Sequence, residues 1–426
     1  MNIGISVYTI REASFLFTED FIDYIRHDNN NYLIFSTRKD VLEYLLEDLP
    51  NVKIYDIYKG NKFKRFIYHY LLYPYYRYSL INQQIIGDHN FIRKQDSFSD
   101  SYKPKYRKFL YYFYNYLPVI EKFLRYLAFK TNFYTHHKID EWLITQYHSY
   151  LDRLITYNES SFSFIPNSHD SLTISGIFQE KPKKIFSWQQ PMKYYAQKLH
   201  CIDEACILDS GSPHLEKLRN LVPTDNSANK ILYFGSNNYI YNEVELIKEL
   251  KSNKYLSELG ISLRLSPSVG GVGKEWHYRK NAYIDILGED KLSEPENYWF
   301  DQGNIDINQK ISEIDAKYYK ALAENRIFII AGVSNVAYDV LATQGILILM
   351  FYQKHKLEKK FNWWECEERQ VLDHIKGLPG VFVCRNADEL EECLRHKLSH
   401  GVFSDTIYKD HKKSAQIILN HLTDKI

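Results

Sequence analysis

The sequence predicts an α/β protein of two doubly wound, Rossmann-like units, with a basic helical insertion in the first. Three observations predict it. Short apolar stretches of strand length alternate with segments of helical spacing through both halves of the chain, the pattern of a mainly parallel sheet. The stretch Leu221–Asn229 (LVPTDNSAN) has linker composition and stands between the halves. The chain's 426 residues, at about 150 per domain, fit two or three domains rather than a single core.

In the first unit, Asn2–Thr9, Tyr32–Ser36 and Val52–Ile57 are expected as strands, with Glu19–Arg26 and Lys39–Leu49 helical between them. Lys138–Thr145, Ser161–Pro166, Lys184–Trp188 and Ala205–Asp209 continue the strand series. In the second unit, the strand Ile231–Phe234 leads through Gly235-Ser236-Asn237-Asn238 into the helix Glu243–Ser252. The strand Ile261–Leu265 leads into the glycine-rich stretch 266–273. A helix over Ser312–Glu324, a strand over Ile327–Ala331, the turn Gly332–Asn335, a helix over Val336–Gln344 and a strand over Ile346–Phe351 follow. The expected organisation is a first domain over 1–225 with its insertion at about 59–138, a second over 226–404, and a helix over 405–426 that packs back on the first.

The longest apolar stretch, Ile327–Phe351, is broken by Ser334, Asn335, Asp339, Thr343, Gln344 and two glycines, so a buried strand–turn–helix–strand explains it better than a membrane span. The segment MNIGISVYTIREASF lacks a basic region followed by an uninterrupted apolar one, and no secretory signal is read there. Five cysteines without a dense framework read as reduced thiols, and a cytoplasmic protein is expected.

Overall, 54 Lys+Arg balance 53 Asp+Glu, which argues against a dedicated nucleic-acid binder. That balance conceals a division. Residues 59–138 hold 15 Lys/Arg, four Asp/Glu and 23 Tyr or Phe, a local net charge of +11 that the rest of the chain cancels. Around Glu121–Phe129 the apolar residues recur at helical spacing with Lys122, Arg125 and Lys130 among them. Such basic amphipathic helices suit the face of an anionic membrane; a solvated face over internally packed rings is the plainer alternative. Nucleic acid ranks below both, because no RNA- or DNA-binding motif accompanies the aromatics.

Two strand-to-helix loops have the geometry that receives an anion, typically a phosphate: Gly235–Asn238, and Gly332-Val-Ser334-Asn335. In the second, Ser334 either caps the helix or bonds a phosphate oxygen, and Asp339 can reach a ribose hydroxyl. The glycine-rich stretch is not a P-loop, since Ser268 and Glu275 stand where Gly and Ser/Thr are required. Gly332-Val-Ser-Asn-Val336 is close to a nucleophile elbow, but Val336 crowds the turn that would expose the serine. No HExxH, paired CxxC or Asp-x-Asp occurs. In the first unit, His169 and Asp170 lie in a polar loop after a strand, where a general base or an ordinary Asx turn is expected.

Several stretches together carry a resemblance. Asn167-Ser-His-Asp-Ser-Leu-Thr-Ile-Ser-Gly176, Lys183-Lys-Ile-Phe-Ser-Trp188 and Asp209-Ser-Gly-Ser-Pro-His-Leu-Glu216 occur in that order. They resemble a block of bacterial surface-polysaccharide glycosyltransferases of the GT-B fold, which often reads Ser-Trp-Asp-Asn-Leu-Thr-x-x-Gly, a strand ending in Trp, then Gly-Ser/Ala-Pro. Ser334-Asn-Val-Ala-Tyr-Asp339 followed by Gly345 is similar to their donor-domain motif Ser-x-x-Ala-x-Glu and a later Gly. CDP-glycerol transferases and Kdo-, sialyl- and epimerase-type GT-B proteins share that motif more loosely. Two positions depart from the pattern. Arg264-Leu-Ser266-Pro267 carries serine where many relatives have the histidine that meets the donor phosphate, and Asp339 replaces a glutamate. Ser266 offers a neutral hydrogen bond, roughly half as strong as a charge-assisted one.

The resemblance implies two Rossmann-like domains facing a cleft. It implies transfer of a sugar from a nucleotide-sugar donor to a growing capsule, O-antigen or lipopolysaccharide glycan. The donor would lie on the second unit against Gly235, Ser236, Asn237, Arg264, Ser266, Ser334, Asn335 and Asp339. A glycan or lipid-linked glycan acceptor would enter from the first unit, with Asp170 as general base and His169 as runner-up. No cofactor and no metal are expected, nor nucleic acid as a partner. Peripheral contact with the inner face of the cytoplasmic membrane is. The alternatives within the fold are a glycerophosphate or polyol-phosphate transferase, and a non-catalytic binding protein.

Overall fold

Every strand pairing among the described residues is parallel, and the strands fall into two sheets. The computed structural model describes the chain except for residues 47, 87–103, 148–149, 160, 169–170, 175, 222–229, 236–239, 266–273, 294–314, 333, 353–371, 398–412 and 424–426. Two compact units result: Met1–His214 with His411–Ile426, and Leu215–Asp410.

In the first unit, β1 (Asn2–Val7), β2 (Asn31–Ser36), β3 (Val52–Asp56), β4 (Glu141–Ile144), β5 (Phe162–Phe164), β6 (Lys184–Ser187) and β7 (Ile207–Asp209) form a sheet in the order β3-β2-β1-β4-β5-β6-β7. Thr9 caps α1 (Ile10–Leu16) by accepting from the amide of Glu12; α2 (Glu19–His27) and α3 (Lys39–Leu45) follow. The strand expected over Asn2–Thr9 therefore stops at Val7, because Thr9 begins a helix that the sequence reading did not include.

The basic insertion is helical. It comprises α4 (Lys62–Ile67), a wider turn over Tyr68–Leu72, α5 (Tyr73–Ile86), α6 (Pro104–Tyr116) and α7 (Pro118–Phe129). Its rings divide between two environments. Tyr68, Tyr76, Tyr114 and Phe129 are buried, whereas Phe63, Phe66, Phe109, Tyr112, Phe123 and Tyr126 are exposed, with Tyr116 84% and Val119 76% accessible. Between β4 and β7 lie α8 (Tyr150–Asn158), α9 (Ser171–Ile174) and α10 (Gln190–His200). On α8, Arg153 is fully buried between the faces of Tyr76 and Tyr147, 4.4 and 4.5 Å from the ring centres, and so ties the insertion to the Rossmann body. After α11 (Pro213–Arg219), the chain enters the second sheet.

That sheet contains β8 (Ile231–Phe234), β9 (Ser262–Arg264), β10 (Leu292–Ser293), β11 (Ile327–Ala331), β12 (Ile346–Met350) and β13 (Val381–Cys384), in the order β10-β9-β8-β11-β12-β13. β11 (IFIIA) and β12 (ILILM) are buried at every position, because a parallel sheet is covered on both faces and needs no polar alternation. The helices are α12 (Ile240–Ser252), α13 (Lys254–Glu258), α14 (Lys274–Leu287), α15 (Ala316–Ala323), α16 (Val336–Ala342), α17 (Asp373–Lys376) and α18 (Ala387–Glu392). α14 begins at Lys274; the glycine-rich stretch 266–273, expected as a loop, lies outside the described residues. The last helix, α19 (Ser414–Leu422), belongs to the first unit and packs against α2, where the Tyr24 hydroxyl donates to Asn420 Oδ1. Among the described residues no helix is long and apolar enough to cross a membrane.

Candidate functional site

In a doubly wound sheet the crevice opens at the carboxyl ends of the two strands where the order reverses. Here those pairs are β1 and β4 in the first unit, and β8 and β11 in the second.

In the second unit, the loops leaving β8 and β11 are the two that the sequence marks as anion-receiving. Their first amides are already engaged. Gly235 N–H donates to Arg264 O at 2.9 Å, and Gly332 N–H donates to Met350 O at 2.9 Å. Gly332 has φ +68°, a conformation that glycine adopts without strain, and it turns the chain sharply out of β11. Ser334 Oγ accepts from the amide of Val336 at 3.3 Å, one residue ahead of the N-cap Asn335, and its side chain is half-buried.

Arg264, only 3% exposed, lies at the end of β9. Its Nη1 donates to Ser293 Oγ at 3.2 Å, and its guanidinium stands 5.6 Å from the ring centre of Tyr318 on α15. The Tyr318 hydroxyl donates in turn to Asp339 Oδ2 on α16. A buried cation and a carboxylate are thus linked across the switch point through one phenol. Sequence reasoning named both ends of this chain and missed its middle, since nothing local to Tyr318 marks it. Asn335 opens α16 beside them. Ser236, Asn237 and Ser266 lie outside the described residues.

The corresponding edge of the first unit holds carboxylates. Glu12 is 2% exposed and Asp152 0%. Glu12 Oε2 accepts from Tyr8 N at 2.8 Å and from Thr145 Oγ1 at 3.4 Å; its Oε1 accepts from Thr9 Oγ1 at 3.0 Å and from the Gln146 amide. Together with the Thr9 cap, this is a capping box at the first strand-to-helix turn. Burial raises the Glu12 pKa to about 7, against the opposing hydrogen bonds from Tyr8, Thr9 and Thr145. Asp152 accepts from the hydroxyl of Tyr8 and, at 3.5 Å, from that of Ser6. A carboxyl group that titrates near neutrality can both take and return a proton at physiological pH. The sequence reading missed Glu12, although Thr9-x-x-Glu12 after an apolar strand was its available signal. Asp170 and His169, the residues expected to act as base, lie outside the described residues.

No family model matches the sequence, and no curated protein matches it. Solved structures match over the whole chain. The UDP-GlcNAc 2-epimerase of Methanocaldococcus jannaschii aligns with a TM-score of 0.55 at 10% identity, covering 100% of both chains. The S. aureus MnaA–UDP co-structure gives 0.53 at 10% identity, over 100% of this chain and 96% of that one. The UDP-GlcNAc 2-epimerase of Neisseria meningitidis bound to UDP-GlcNAc gives 0.51 at 12% identity, over 100% of both. At such identities the likeness is one of fold. The chain has the GT-B fold, two Rossmann-like domains with helices about parallel sheets.

Proposed function

We propose that this protein is a metal-independent glycosyltransferase that moves a sugar from a nucleotide-sugar donor to a growing bacterial surface glycan. The observation that carries the proposal is the part-buried Ser293–Arg264–Tyr318–Asp339 chain, built on the buried Arg264, at the switch point of the second sheet. A guanidinium held there suits the phosphate of a nucleotide, and a carboxylate beyond it suits a ribose hydroxyl. Two of the structures that share the fold hold UDP or UDP-GlcNAc, which supports a nucleotide-sugar ligand.

Transfer requires that the acceptor hydroxyl lose its proton as the bond from the sugar to phosphate breaks, and the leaving nucleotide then carries the added negative charge. Asp170 is the proposed base, with His169 behind it. Glu12 is a further carboxyl group of the same unit with a pKa suited to the task. Gly235, Ser236, Asn237, Ser266, Ser334 and Asn335 are proposed to complete the donor site. The exposed rings of α4–α7, with Lys62, Lys105, Lys108, Lys122 and Lys130 exposed among them, are proposed to rest on the anionic inner face of the cytoplasmic membrane, bringing the enzyme to a lipid-linked acceptor.

The full-length likeness to 2-epimerases favours a second reading, inversion of a sugar carbon within a nucleotide sugar. That reaction must break a carbon–hydrogen bond. Incubation of UDP-GlcNAc with the protein in deuterated water therefore separates the two: an epimerase incorporates deuterium at the inverted carbon without acceptor, and a transferase does not. The primary test is a thermal-shift panel with CMP, CDP, UDP and GDP. The transferase reading expects one of them to raise the melting temperature, by about 2.7 kcal/mol of stabilisation at a hundredfold excess over Kd. No shift with any of the four would remove both enzyme readings.

A further inference from the structure

A cavity of about 480 Å³ opens in the first unit beside Thr37, the residue that follows β2, so it lies at the carboxyl edge of the sheet. That volume is in the range of small-ligand sites. Three groups of cationic type converge on it, Lys59, Arg65 and His69, and three rings wall it, Tyr68, Tyr73 and Tyr150. Lys59 and Arg65 make no ion pair with a carboxylate among the described residues, in contrast to Arg125 on the neighbouring α7, which is paired with Glu180. Like charges gathered without a counter-ion repel, and an anion relieves that repulsion. The conflict shows at His69, whose pKa is lowered first by burial and then by the charge of Arg65. The wall is also built closely. Gly60 has φ +67°, and a Cβ there would stand 2.3 Å from the Tyr150 hydroxyl, so only glycine lets the chain pass against that ring. Tyr150 is held from the other side, its hydroxyl donating to Ala128 O at 3.0 Å.

The helical ridge that supplies Arg65, His69 and Tyr73 to the cavity also carries Phe63, Phe66 and Tyr70, which are exposed. Both sets recur every three or four residues, so they occupy different faces of one continuous helical segment. We propose that this cavity binds the phosphate-bearing end of the acceptor, the cations taking the phosphate and the tyrosine rings the adjoining sugar or chain. The inference rests on the transferase reading and names the acceptor class for it. The phosphate can belong to a soluble sugar phosphate or to a lipid phosphate, and the shared chemistry is the same.

The test titrates the full chain with glucose 1-phosphate, glucose and farnesyl phosphate, each followed by its protection against thermal unfolding, for the wild type and a Lys59→Gln/Arg65→Gln variant. Both substituted side chains are exposed, so the variant is expected to fold as the wild type does. Glucose 1-phosphate should bind at least tenfold more weakly to the variant, and glucose should not compete with it. Tighter binding of farnesyl phosphate than of glucose 1-phosphate identifies a lipid-borne phosphate, and equal binding a soluble one. Unchanged affinity in the variant, or competition by glucose as effective as by its phosphate, overturns the proposal. The nucleotide panel is run on both proteins. A nucleotide shift retained in the variant keeps donor binding apart from this site. Its absence from both, with phosphate binding intact, removes the transferase reading and leaves the anion site standing.

Discussion

The two sheets share one strand order up to the sixth strand, yet the edges where that order reverses carry opposite chemistry. In the first unit the switch point gathers two buried carboxylates, Glu12 and Asp152, fed by neutral donors. In the second it gathers a buried arginine, coupled through a tyrosine to one carboxylate. Topology therefore supplies the place and the loops supply the chemistry. An edge of carboxylates suits proton transfer, and an edge built on a guanidinium suits the charge of a departing phosphate. The proposed glycosyl transfer would draw on both edges, and that division can be broken one side at a time.

The largest effect is expected in the first unit, at the proposed base. Asp170→Asn should lower kcat by about 10²–10⁴-fold, the usual worth of a general base, while the nucleotide-induced rise in melting temperature is unchanged. A variant with full turnover would remove Asp170 as the base and leave His169 and Glu12. The pH profile sharpens the choice, since Glu12 as base predicts an acid limb near its pKa of about 7.

Next in size is the pH dependence of stability that Glu12 imposes. Its pKa rises from 4.5 to about 7 on folding, so the folded chain binds the extra proton between those values. Stability is then greatest below pH 4.5 as far as this group is concerned, and it falls as pH rises toward 7, by about 3 kcal/mol in total. Glu12→Gln removes the titration, so its urea midpoint should change less between pH 5 and 7 than that of the wild type. Parallel curves would mean that the carboxyl group is not held in a dry site.

The two units also show what was legible in the sequence. The strands Ile231–Phe234 and Ile327–Ala331 were readable to the residue, because each is an apolar run bounded by turn-forming residues and buried on both faces. β10, only Leu292–Ser293, is too short to leave a pattern, and β13 (VFVC) is a four-residue edge strand paired with β12. At the switch point of the second sheet Arg264 and Asp339 were visible through a motif, but Tyr318 enters from a separate helix and joins them only by folding. Glu12 was hidden by a boundary: extending β1 through Thr9 erased the cap that announces α1, and the glutamate with it.

A third change addresses the cationic edge directly. Arg264→Lys keeps the charge but loses the planar fork that reaches Ser293 and lies against Tyr318. Affinity for the nucleotide found in the panel should fall by about tenfold, equivalent to about 1.4 kcal/mol. Glu12→Gln should leave the same affinity unaltered. If both substitutions weakened the nucleotide equally, the two edges would not divide the chemistry as proposed.

The smallest effects are expected on the exposed face of the helical insertion, and its buried face supplies the contrast. On α7, Phe129 is buried and packs edge-on against Tyr68, whereas Phe123 is exposed next to Lys122. Phe129→Ala should cost about 3–5 kcal/mol of folding stability, because it leaves a cavity under the insertion. Phe123→Ala should change stability by no more than about 0.5 kcal/mol. What Phe123 and its neighbours do instead should appear only against vesicles. Lys122→Gln should weaken binding to phosphatidylserine-containing vesicles by about fivefold, near 1 kcal/mol for one basic residue at an anionic surface, and should leave binding to neutral vesicles as it was. Replacing Lys62, Lys105, Lys108, Lys122 and Lys130 together by Gln should reduce vesicle binding by the combined amount, and added salt should imitate that loss. Binding that ignores both salt and these charges would mean that the exposed rings face another protein rather than a bilayer.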